Sequence, residues 1–126
     1  MTGTPETAQG ILRHHSIGDL RLENGITLPE VRISYETWGT LNEDGDNAIL
    51  ILHALTGDTH VSRGSAPEGT PADVAAEIER DGWWEGIVGP GAVVDTNKYY
   101  VVAPNILGGC YGSTGPASLI PAGYPG

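Results

Sequence analysis

The stretch Ala48 to His60 reads AILILHALTGDTH, and its reading decides the fold. Ala48 to Leu52 are five consecutive apolar residues with polar neighbours on either side. An unalternating run of that length fits a short strand buried on both faces, as in a parallel sheet covered by helices. The run stops at His53, and Ala54-Leu55-Thr56-Gly57-Asp58 follows as a loop of small residues. In an α/β sheet such a loop lies beyond a strand's carboxyl end, where ligands bind. Backbone N–H groups placed there can stabilise a developing oxyanion.

Towards the N-terminus, Leu20, Leu22, Ile26 and Leu28 alternate with polar residues around Asn24-Gly25, the strongest short-range hairpin signal. Pro29 shifts the phase. Val31, Ile33 and Tyr35 then alternate with Arg32, Ser34 and Glu36, giving a second, half-buried strand that ends near Trp38-Gly39. Met1 to Gly10 is polar and aperiodic and reads as a disordered tail.

Towards the C-terminus, Thr70 as N-cap, Pro71 at the first helical position and Asp73 predict a short surface helix through Ile78, ending by Gly82. Gly82-Trp83-Trp84 is expected to open another through Val88, with both tryptophans packed on the sheet. Asp95-Thr96-Asn97 turns into a strand over Tyr99 to Ala103. Two buried strands joined by a helical crossover make a right-handed parallel unit.

Several side chains carry chemistry that their context denies. A calcium loop around Glu43 to Asn47 fails at its sixth position, where Ile49 stands in place of glycine. His53, Asp58 and His60 are metal-ligating types, but His53 is read as ending the strand with a local hydrogen bond and the other two as loop residues. No metal is expected, and His14-His15 is read as solvated. The glycine-rich run Gly108 to Gly115 lacks the lysine of a P-loop. Ser113 has Gly115 two residues on, but Tyr111 stands where a nucleophile elbow needs its first glycine. Cys110 has no activating base in sequence and is expected to be a small packed thiol.

The segment His53-Ala54-Leu55-Thr56-Gly57-Asp58 resembles the strand-to-loop signature of the homoserine O-acetyltransferase family. Gly82-Trp83-Trp84-Glu85-Gly86, Gly89-Pro90-Gly91 and the run NILGGCYGSTGP from Asn105 to Pro116 resemble the same family, in the same order. The resemblance covers the chain from about Leu20 onward, with Ser62 to Asp81 looking like a variable insertion. It implies the N-terminal part of an α/β-hydrolase fold over residues 11–126: antiparallel first strands, then parallel strands with helical crossovers. It also implies transfer of an acetyl group from acetyl-CoA, as co-substrate and with no cofactor, to the hydroxyl of L-homoserine in methionine biosynthesis. An acyl-serine intermediate and ping-pong kinetics follow.

None of the family's serine, aspartate and histidine has a matching position, so the chain is expected to stop short of the nucleophile and to be inactive alone. What it supplies by resemblance is half of an oxyanion hole: the backbone N–H of Leu55, with Thr56 and Gly57 shaping the loop at the substrate. The nucleophile's strand would lie beside the Ala48–Leu52 strand, so the remainder of the protein is expected as a partner, on a second chain or as further sequence. The complete enzyme is expected to be a homodimer. A non-catalytic α/β binding or assembly module is the alternative, as is a family member using succinyl-CoA or serine.

Composition narrows the partners. Sixteen acidic against six basic residues give 126 residues a net charge of -10, which disfavours nucleic acid and anionic membranes. One cysteine excludes an internal disulfide, and no apolar run approaches membrane-span length. With no signal-peptide pattern, a cytoplasmic location is expected.

Overall fold

The computed structural model describes residues 9–116, 118 and 119. Its elements are β1 (Arg13–Arg21), β2 (Thr27–Trp38), β3 (Ala48–Leu50), α1 (Ala72–Glu79), β4 (Val88–Gly89), β5 (Val94–Asp95) and β6 (Tyr100–Pro104). The expected tail over Met1 to Ala8 lies outside the described residues. Gln9 and Gly10, also assigned to that tail, are docked instead. Gly10 N–H donates to Thr37 O at 2.8 Å, and Ser65 N–H donates to Gln9 O at 2.8 Å.

The hairpin forms where Asn24-Gly25 predicts it. Arg21 pairs with Thr27, and inside the turn Asn24 Oδ1 accepts the Ile26 N–H at 3.0 Å. Pro29 does not end a strand, because β2 runs unbroken past it. The extra residue is absorbed by two compensating register shifts on either side of Gly18, which pairs with Val31. Gly18 (φ 74) and Glu30 (φ 47) take left-handed backbone there, and Asp19 Oδ1 accepts the Glu30 N–H at 3.0 Å. Bulges of this kind bend a strand without changing the register beyond them.

The main sheet has the order β1-β2-β6-β3, with β6 antiparallel to β2 and parallel to β3. Among the described residues β3 therefore has one neighbour and forms an edge. The edge position is expected when the nucleophile's strand lies outside the chain; the exposure of its side chains corrects the expectation of a strand buried on both faces. Ile51 is buried and Ile49 packs against the core, whereas Leu50 and Leu52 are 62% and 70% exposed. α1, the helix of the crossover, buries none of its own residues.

The core is small: Trp38, Ile51, Val61, Val88, Val101 and Ala103. Each valine or isoleucine among them contributes about 1.5–3 kcal/mol by leaving water. Trp38 satisfies its one polar atom by donating from Nε1 to Arg63 O at 2.9 Å.

Two further expectations fail in the crossover. Thr70 does not cap α1; its hydroxyl donates back to Pro67 O, and Pro71 occupies the cap position without a side-chain hydrogen bond. No helix forms over Gly82 to Val88. Glu85 Oε1 accepts the N–H groups of Gly82 (2.8 Å) and Arg63 (2.9 Å), Gly86 turns with φ 91, and the chain runs into the two-residue parallel pair β4–β5. Trp83 and Trp84 consequently stack on each other, ring centroids 5.9 Å apart, and stay partly exposed rather than packing on the sheet. The Asp95 turn forms as expected, its Oδ1 accepting from Gly91 N–H (2.8 Å) and Asn97 N–H (3.0 Å). Those two bonds hold the Asp95 carboxyl below its ordinary range.

Candidate functional site

The loop from His53 to His60 leaves the carboxyl end of β3 and is tied down at both ends. At its entry, His53 Nδ1 lies 2.6 Å from Ala54 O, so that nitrogen carries the proton. Nε2 is then the acceptor, taking the Ile106 N–H at 3.1 Å with Asn105 Nδ2 at the same distance. A neutral imidazole thus joins the end of β3 to the start of the glycine-rich run after β6. That run is anchored in turn to β2. Asn105 N–H donates to Ser34 O at 2.8 Å, Ser34 N–H donates to Ser113 Oγ at 2.9 Å, and Ser113 Oγ donates to Asn105 O at 2.7 Å. Ser113 is buried and spends its hydroxyl on the backbone, as befits a structural residue.

At the apex, Gly57 N–H donates to Ala54 O at 2.8 Å, closing a turn whose central residues are Leu55 and Thr56. The Leu55 side chain is 98% exposed, and among the described residues no hydrogen bond takes its N–H. Gly57 is required by space. A Cβ there would lie 2.7 Å from His53 Cβ and 3.2 Å from Ala54 O.

At the exit, Asp58 Oδ1 accepts the His60 N–H at 2.8 Å while Asp58 O accepts from Trp83 Nε1 at 3.0 Å. Thr59 and His60 turn inward onto Glu36 of β2. Thr59 Oγ1 donates to Oε2 at 2.6 Å, and His60 Nδ1 lies 2.7 Å from Oε1. The other ring nitrogen of His60 lies 2.8 Å from Arg80 O. Acceptors on both sides favour a doubly protonated ring. Burial, the largest single influence, opposes that charge, but the ring's hydrogen bonds to Glu36 and to the Arg80 carbonyl and the charge of Glu36 outweigh it, so His60 titrates above its ordinary 6.5. A cleft of 270 Å³ opens beside this pair, lined in part by Asp58, Glu77, Arg80 and Tyr111. A larger groove of 950 Å³ lies among Asn42, Asn47, Thr96 and Lys98, at the opposite ends of β3 and β6 from Leu55. Neither includes Leu55, Thr56 or Gly57.

The structure brings His53, Asp58 and His60 into one loop but aims them at different partners, and among the described residues no cluster of three metal-ligating side chains exists. Cys110, expected to be packed, is exposed. The residue that sequence reasoning missed is Glu36, whose alternation with Ile33 and Tyr35 put it, with Ser34, on the outer face. Both are buried. The available signal was Trp38, which shares their parity along β2 and had to face inward.

No protein-family model matches the chain. Curated relatives do. The homoserine O-acetyltransferase of Thermobifida fusca is 58% identical over 106 residues, 84% of this chain and 26% of that protein. That of Mycolicibacterium smegmatis is 47% identical over 125 residues, 99% of this chain and 30% of that protein. The chain is a relative of the homoserine O-acetyltransferases. It spans about a quarter of the length of the first of them. The crystal structure of the Bacillus anthracis homoserine O-acetyltransferase agrees, with a TM-score of 0.62 and 34% identity over 77% of this chain and 23% of that one. An acetylester hydrolase from Corynebacterium glutamicum aligns at a TM-score of 0.63 and 29% identity over 94% of this chain and 28% of that one. These neighbours are α/β-hydrolase proteins, and the mixed sheet β1-β2-β6-β3 with few helices is the N-terminal portion of that fold. Among the described residues no helix is long and apolar enough to cross a membrane.

Proposed function

We propose that this chain is the part of an acetyl-CoA:L-homoserine acetyltransferase that contributes the Leu55 N–H to the oxyanion hole. The supporting observation is that an amide with no hydrogen-bond partner among the described residues stands at the apex of a doubly anchored loop, just past the carboxyl end of β3. In the reaction a serine supplied outside this chain gives its proton to the triad histidine and attacks the thioester carbonyl of acetyl-CoA. The carbonyl oxygen becomes an anion that accepts from Leu55 N–H and from the amide following the serine. Collapse expels the CoA thiolate, protonated by the triad histidine, and leaves acetyl-serine. The homoserine hydroxyl then gives its proton to the same histidine and attacks the acetyl-serine carbonyl; the serine oxygen leaves, takes that proton back from the histidine, and O-acetylhomoserine is released. Thr56 and Gly57 shape the loop against the substrate, and the complete enzyme works as a cytoplasmic homodimer.

One such donor is worth about 3 kcal/mol, or about a hundredfold in rate, and a chain without the nucleophile is inactive. The test grafts this chain onto the Thermobifida fusca enzyme in place of its matching residues. Acetyl transfer to homoserine with ping-pong kinetics, together with loss of activity in Gly57→Val, is the expected result. Parent-level activity of Gly57→Val in the graft overturns the Leu55 assignment, and acetyl transfer by the 126-residue chain alone overturns the claim that it lacks the nucleophile.

The likeness to an acetylester hydrolase favours one second reading, in which water replaces homoserine as the acceptor. Acetate release at equal rates with and without homoserine would select it.

A further inference from the structure

The carboxylate of Glu36 divides its oxygens between two consecutive loop residues, Oε2 to Thr59 Oγ1 at 2.6 Å and Oε1 to the His60 ring at 2.7 Å. All three residues are buried. Sinking a carboxylate costs several kcal/mol before its partners repay it, and apolar side chains of similar volume could join β2 to the loop as firmly. What apolar contact lacks is direction. Hydrogen bonds to both faces of one carboxylate fix an angle as well as a distance.

That angle bears on the apex. Among the described residues the turn is closed by one backbone hydrogen bond, Gly57 N–H to Ala54 O, an oxygen that also faces His53 Nδ1 at 2.6 Å, so the aim of its apex depends on the two ends. His53 sets the entry. The exit begins at Asp58, whose carbonyl accepts from Trp83 Nε1 at 3.0 Å, and the next residue, Thr59, ties it to β2 through Glu36.

We propose that Glu36, with Thr59 as its grip on the loop, is a positioning residue for the oxyanion donor, fixing where the Leu55 N–H points. The inference rests on the assignment of Leu55 made above. In this role Glu36 needs no contact with substrate. It acts through Thr59 and His60, while Arg80 and Glu77, which pair with each other at 2.8 Å, brace the far side of the His60 ring through the Arg80 carbonyl. Oxyanion stabilisation is steeply geometric, and a displacement of about 1 Å can cost a hundredfold. Loosening the exit should therefore lower turnover more than substrate affinity.

The experiment uses the grafted enzyme. Thr59→Val is close to isosteric and deletes only the hydroxyl, Thr59→Ser restores it, and Glu36→Asp keeps the charge but is one methylene too short to reach both partners. Deuterium uptake over residues 53–60 is followed with kcat and KM. Thr59→Val and Glu36→Asp are expected to speed exchange and lower kcat about tenfold with KM changed by less than about twofold, and Thr59→Ser to recover both. Unchanged exchange and kcat in Thr59→Val and Glu36→Asp, with Gly57→Val still inactive, overturns the positioning role and leaves the Leu55 assignment standing. A lowered melting temperature with kcat intact also overturns it, by assigning the pair to stability alone. Activity in Gly57→Val strikes the Leu55 assignment itself.

Discussion

His60 Nδ1 lies 2.7 Å from Glu36 Oε1, with both side chains almost wholly shielded from solvent. The folded state raises the His60 pKa above its ordinary 6.5, burial opposing the charge and the Glu36 and Arg80 hydrogen bonds prevailing. A raised pKa means that the native state holds its proton more tightly than the unfolded chain does. The stabilisation is complete below pH 6.5 and disappears as pH climbs through the His60 value. The midpoint of denaturant unfolding should accordingly be higher at pH 6 than at pH 9. His60→Gln should remove that difference while lowering the midpoint at pH 6. Equal midpoints for the parent chain would show that the protonated pair adds nothing.

The loop apex gives a prediction that separates backbone from side chain. Because the donor is an amide and the Leu55 side chain lies in solvent, Leu55→Ala in the grafted enzyme should keep kcat/KM within about threefold of the parent. Gly57→Ala is a smaller change on paper. Its Cβ must nonetheless displace the His53 Cβ, 2.7 Å away, and with it the turn. A drop of about tenfold or more in kcat is expected, measured by thiol release from acetyl-CoA.

Local signals were legible and remote ones were not. Asn24-Gly25 and Asp95-Thr96-Asn97 formed the turns their own residues dictate, and the apolar runs at Ala48 and Tyr99 became parallel neighbours. Residues near one another in sequence decide such features. Ser34 and Glu36 read as outward because their partners, Ser113 and Thr59 with His60, enter from 79 and 23 residues or more away. A strand's polar face can be solvated or roofed by a distant loop, and alternation alone does not distinguish the two. The helix expected at Gly82 failed for a similar reason, since Glu85 caps the Gly82 and Arg63 amides and holds the segment in a turn. The candidate site was legible as a loop through its family signature, but its anchoring to β2 was not.

Ser113 offers a test of the distinction between a structural and a reactive hydroxyl. Ser113→Ala leaves the buried Ser34 N–H without its acceptor and the Asn105 carbonyl without its donor. An orphaned buried amide costs about 1–3 kcal/mol, so unfolding should shift by about 2 kcal/mol in denaturant titrations. In the grafted enzyme, turnover at a temperature well below melting should survive. Complete loss of turnover with stability unchanged would make Ser113 a reacting group.

The bare face of β3 gives the sharpest contrast between the chain alone and the chain in a larger protein. Leu50 projects from an edge strand and Leu52 from the segment just past it, and exposed apolar edges recruit further strands. Leu50→Lys with Leu52→Glu should therefore reduce light scattering by the 126-residue chain. The resemblance implies that the nucleophile's strand lies beside β3 in the complete protein and that the sheet is covered by helices, which reverses the sign in the grafted enzyme. There the same charges would be sealed in an apolar layer without partners, at a cost of about 3 kcal/mol or more, and the soluble yield should collapse. A grafted enzyme that tolerates both charges would mean that nothing covers this face.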